Sequence, residues 1–143
     1  MICVLVIGGR GLERRQWKQF LQARGYRVFQ AATPTEGLRL CGEVPPDLLI
    51  LDVDSIMPSS QALATIKALR ADYPDVQILA FSSFLSRKMA LEAGADVCIP
   101  SPADDTLVLE LADTMTGGFV DDINMGVPGR RELRIEREAV FVS

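Results

Sequence analysis

The chain contains no histidine. That excludes Ser-His-Asp triads, Cys-His dyads, imidazole-ligated metals and an imidazole pH switch. Cysteine is scarce and odd in number: Cys3, Cys41 and Cys98 lie far apart, with no CxxC and no Cys/His cluster. A disulfide framework and a zinc site are both excluded, and the three thiols read as small buried hydrophobes in a reducing compartment. No apolar run approaches the length of a membrane span. The opening MICVLVIGG is too short for a signal peptide, so the expected location is cytoplasmic. Basic charge is also short, with Lys+Arg at 15 against Asp+Glu at 19, which argues against a general nucleic-acid or anionic-membrane binder. With 11 Gly and 8 Pro there is no low-complexity scaffold either, and no internal repeat.

What is present is 48% hydrophobic residues in 143, enough for one domain with a real core. ICVLVI at 2–7 is a continuous apolar run, as a strand buried on both faces reads. Further strands are expected at 27–31, 47–53, 76–81 and 96–100. Helical spacing places Trp17, Phe20 and Leu21 on a helix over 13–24 closed by Gly25, with Trp17 packing it on the sheet. Thr33 caps a second helix with Pro34 just inside it. Leu63, Ile66 and Leu69 mark a third. A fourth runs over 84–93 and stops at Gly94, and Asp104 or Asp105 caps a fifth. Strict alternation of five buried strands with five helices over 1–116 implies a parallel sheet wound on both faces, a three-layer α/β/α sandwich. Such sheets carry function on the loops after the strands' carboxyl ends, here residues 8–11, 31–33, 52–58, 82–83 and 100–101. Residues 117–143 break the pattern. They read as a linker and a strand-prone tail (Val140-Phe141-Val142) that can add to its own sheet edge or, in a homodimer, to that of a second copy.

Asp52 ends the third strand, and Asp54 follows two residues later. On a continuing strand both point the same way and could share a proton or hold a divalent cation; otherwise they are loop acids that cap the next helix or meet solvent. PDLLILD (46–52), MP (57–58), ILAFSS (78–83) and ALEAGADVCIPSP (90–102) together resemble the receiver domain of two-component response regulators, over about residues 1–116. The resemblance implies a flavodoxin-like fold and a phosphate-accepting aspartate. Counting forward from Pro46-Asp47 puts that residue at Asp52; counting back from Met57-Pro58 puts it at Asp54. Asp52 is preferred, because Ser82 is properly spaced from it as the switch hydroxyl.

The departures from the family matter more. Active receivers end the first strand in a pair of acids that hold magnesium, where this chain has Gly8-Gly9-Arg10. Ser101 stands where a lysine contacts the phosphoryl group, and Cys98 stands at the aromatic switch position. Transfer of a phosphoryl group to a carboxylate brings two anions together, which a bridging cation and a fixed ammonium normally offset. Losing one such contact costs about 3–4 kcal/mol of barrier. The expectation is a degenerate "pseudo-receiver" with no magnesium or other cofactor and no catalytic turnover. Phosphoacceptance at Asp52 or Asp54 is the alternative. The expected partner is a regulatory protein, a sensor kinase or an effector. By resemblance it docks on residues 85–93, 97–100 and 107–115, with Phe84 and Leu85 as candidate exposed anchors. A second class of function is nucleotide or small-anion binding at the glycine-rich turn 8–11, with Arg10 nearby. Its dinucleotide fingerprint is partial: Arg14 replaces the last glycine, and Gln30, Ala31 and Ala32 offer no ribose-binding acid. Arg14, Arg15, Lys18 and Arg24 form a basic, solvated helix face. Ser59, Ser60, Ser83 and Ser86 lack a base partner and are given no nucleophilic role.

Overall fold

A computed structural model of the chain describes residues 2–8, 11–56, 59–83, 87–100 and 105–117. Along the chain these form β1 (Cys3–Ile7), α1 (Gly11–Ala23), β2 (Arg27–Ala31), α2 (Pro34–Glu43), β3 (Leu48–Asp52), a 3-10 turn (Val53–Ser55), α3 (Ser59–Asp72), β4 (Gln77–Phe81), α4 (Arg87–Ala93), β5 (Val97–Ile99) and α5 (Asp105–Thr116). The strands make one parallel sheet in the order β2-β1-β3-β4-β5. This is the expected flavodoxin-like fold, with the chain reversing direction across the sheet beside β1 and β3.

Because strand side chains alternate, each strand feeds two cores. Leu5, Ile7, Leu49, Leu51, Ile78, Ala80 and Cys98 pack with Ala62, Ile66 and Leu69 of α3 and Ala90 and Ala93 of α4. On the other face Val4, Val6, Leu48, Ile50, Leu79, Phe81, Val97 and Ile99 pack with Trp17 and Leu21 of α1 and Val108, Leu111, Ala112 and Met115 of α5. Trp17 does seat α1 on the sheet: its ring lies 5.2 Å from that of Phe81. The close approach of α2 to β1 depends on Gly37, where a Cβ would fall 2.3 Å from Ile7 Cδ1.

Most boundaries follow the expected signals. Thr33 caps α2, its hydroxyl accepting from the Glu36 N–H at 3.2 Å, and Pro34 opens the helix. Gly25 and Gly94 close α1 and α4 with φ of +92° and +127°. One boundary differs in a way that bears on function: the third strand, expected over 47–53, stops at Asp52, because Val53–Ser55 winds into the 3-10 turn. Among the described residues no helix is long and apolar enough to cross a membrane. The tail at 118–143, with its proposed strand and dimer contact, lies outside the described residues.

Candidate functional site

The site lies at the carboxyl rim of the sheet, where β1, β3, β4 and β5 end side by side. Asp52 is the last residue of β3, pairs with Phe81 of β4, and is buried at 7% exposure. In the 3-10 turn that follows, the Ser55 hydroxyl donates to the Asp52 carbonyl at 2.9 Å and the Ile56 N–H donates to the Val53 carbonyl at 3.0 Å. This turn carries Asp54 away from the strand. Its carboxylate reaches the exit of β4 and accepts from the Ser83 N–H at 2.9 and 3.0 Å, the Ser83 hydroxyl at 2.5 Å and the Ser82 hydroxyl at 3.3 Å. Asp52 and Asp54 therefore do not stand on one strand face. That expectation assumed a continuing strand, and the turn separates the two acids.

At the end of β1, Gly8 adopts φ +83° and its N–H donates to the Ala31 carbonyl at 3.0 Å. A Cβ there would lie 2.3 Å from Ser55 Oγ and 3.0 Å from the Asp52 carbonyl oxygen. Both the backbone and the space favour glycine. The Gly8 amide is also engaged within the sheet, so it does not serve the anion-binding turn envisaged for residues 8–11. Cys98 of β5 completes the rim from below. It is 4% exposed, and its thiol is pushed up to about 11 by burial and secondarily by the Asp54 charge, with Arg87 opposing. A thiol so placed stays protonated and inert.

The structure thus gathers Gly8, Asp52, Asp54, Ser82 and Cys98 from four strand ends. Gly9, Arg10, Phe84, Leu85 and Ser101 lie outside the described residues, as do Met57 and Pro58. Two residues with no role in the sequence expectations, Ser55 and Ser83, belong to the site. The only signal for either was its place in a functional loop, 82–83 for Ser83 and 52–58 for Ser55.

A family model for the response regulator receiver domain matches residues 4–113. The chain belongs to the response regulator receiver family. As a receiver domain in two-component signalling it is similar to the transcriptional regulatory protein CpxR of Escherichia coli strain K12, with 37% identity over 90 residues, 62% of this chain and 38% of that protein. It is 33% identical over 104 residues to the transcriptional regulatory protein KdpE of Mycobacterium tuberculosis strain H37Rv, which is 71% of this chain and 45% of that protein. The receiver chain spans less than half the length of these curated relatives. Among solved structures, a LuxR family DNA-binding response regulator from Silicibacter pomeroyi superposes with TM-score 0.67 at 28% identity, covering 82% of this chain and 92% of that one. A CheY-like receiver domain protein from Methanospirillum hungatei shares the fold with TM-score 0.75 at 21% identity, covering 82% and 95%.

The family implies a magnesium ion at this rim, and the described residues do not fit one. Magnesium asks for octahedral oxygen ligands, with carboxylates among them. Position 8 offers no carboxylate, a side chain there would have to displace the Ser55 hydroxyl, and Asp54 is turned toward Ser82 and Ser83. Among the described residues no group of three or more Asp, Glu, Cys or His side chains converges on one point.

Proposed function

We propose that this receiver domain acts by binding a regulatory protein, a sensor kinase or an effector, without conventional phosphorylation of an aspartate and without catalytic turnover. The observation that carries this reading is the contact at Gly8. Adding an acid to the end of β1 would require a left-handed φ at a residue with a Cβ, and displacement of Ser55 Oγ from the Asp52 carbonyl. The magnesium-holding acid is therefore missing from the sequence, and the packing around Gly8 disfavours a side chain in its place. Without a cation, a phosphoryl donor would bring its negative oxygens against the Asp52 carboxylate with little to offset the repulsion.

The test is a titration of the whole chain with beryllofluoride and magnesium, read through Trp17. Its ring touches Phe81, the residue paired with Asp52, so it reports on events at the rim. The expected result is no saturable fluorescence change, and no added phosphoryl mass after incubation with acetyl phosphate. A saturable, magnesium-dependent change, or a phosphoryl group mapped to the peptide containing Asp52, would restore the phosphoaccepting reading.

A further inference from the structure

The way Asp54 is held suggests a role for it other than phosphoacceptance. One anion, contributed by the turn after β3, collects three donors from the exit of β4: the N–H and hydroxyl of Ser83 and the hydroxyl of Ser82. Hydrogen bonds to a charged acceptor are roughly twice as strong as neutral ones. The carboxylate is also held in place from its own side, since the Ser55 and Ile56 bonds close the turn that presents it. The Ser82 N–H donates to the Ile99 carbonyl at 3.1 Å, so the fastening extends to β5. An anion arriving from solution would compete with one already tethered in the same chain and seated on these donors, whose effective concentration is far higher. A switch, moreover, requires an element with two discrete arrangements. Here the donors already have their anion, and the neighbouring Cys98 is small and buried.

We propose that Asp54 is a built-in substitute for an added anionic group: it holds Ser82 and Ser83, and through them the start of the passage to α4, in one permanent arrangement. This deepens the phosphorylation-independent reading above and rests on it. The domain would then offer its partner a fixed surface rather than a switched one.

Hydrogen–deuterium exchange on the full chain tests this. In Asp54→Ala, exchange at the Ser83 amide and through Arg87–Ala93 should rise about tenfold or more, as expected from the loss of charge-assisted bonds, while β1 and β3 keep their protection. Ser83→Ala, at an exposed position, should give a smaller rise confined to the same amides. Unchanged exchange in both variants overturns the proposal. If Asp54→Ala loosens β1 and β3 as well, Ser83→Ala decides: a local rise supports the fastening and no rise refutes it. A separate arm adds beryllofluoride and magnesium to the wild-type chain. Extra protection there would defeat the phosphorylation-independent reading, whereas the two variants test the Asp54 contact itself.

Discussion

Placing an alanine at position 8 tests the packing argument directly. Gly8 has φ +83°, and an L-residue held in that region costs about 1–2 kcal/mol. The new Cβ would stand 2.3 Å from Ser55 Oγ, so the hydroxyl must leave its bond to the Asp52 carbonyl, worth roughly 1 kcal/mol. The carbonyl oxygen itself, 3.0 Å away, is main chain and can yield little, which adds part of the ~1–3 kcal/mol usual for overpacking. Gly8→Ala should therefore lose about 3–5 kcal/mol in urea unfolding followed by Trp17 fluorescence, a large share of a typical domain's ~5–15 kcal/mol. In a Ser55→Ala background the hydroxyl no longer obstructs the Cβ, and the same substitution should cost about 1–2 kcal/mol less. The difference is the coupling in a double-mutant cycle. A Gly8→Ala variant within ~0.5 kcal/mol of wild type would refute the reasoning, as would equal costs in the two backgrounds within that margin.

Arg70 should prove to be the main polar tie beneath α3. Its guanidinium donates to the Gly94 carbonyl at 2.9 and 3.0 Å, to the carbonyls of Pro74 and Val76 at 2.9 and 2.8 Å, and to Asp96 at 2.6 Å. Lysine cannot reproduce this fork, so Arg70→Lys is expected to cost about 2–4 kcal/mol in thermal unfolding. A loss below about 1 kcal/mol would mean that water satisfies the carbonyls equally well. Tyr26 is pushed up to about 12 by burial first and by its bond to Asp113 second. The folded chain keeps this proton while the unfolded chain releases it near 10, so the associated stability is whole below pH 10 and is lost as pH rises toward 12. Tyr26→Phe should flatten unfolding free energy against pH over that window, and should remove the late-titrating phenol from an ultraviolet titration.

The layout of the sheet was legible because buried parallel strands have an unmistakable pattern: ICVLVI, DLLILDV and VQILAF admit few other readings, and Gly25, Gly94 and Thr33-Pro34 mark their own boundaries. The identity of the rim residues was legible as well, since topology alone brings Gly8, Asp52, Ser82 and Cys98 together. What could not be read was the path between Asp52 and α3. Whether two acids separated by one residue share a face depends on whether the strand continues, and a 3-10 turn of three residues leaves no periodic trace. The pairing of Asp54 with Ser83 joins residues 29 apart in sequence, and nothing local announces it. Arg70 was hidden for a similar reason. An arginine near the end of an amphipathic helix looks solvated until Gly94, in its left-handed conformation, turns a carbonyl toward it.

A second fastening sits at the opposite rim. Asp113 of α5 accepts from Arg24, after α1, and from the Tyr26 hydroxyl at the entry to β2. The last described helix is therefore bolted to a corner formed by the first helix and an outer strand, at the far end of the sheet from Asp54. Tension on the polypeptide beyond Gly117 would load that corner first. The two ends of the domain thus have separate anchors.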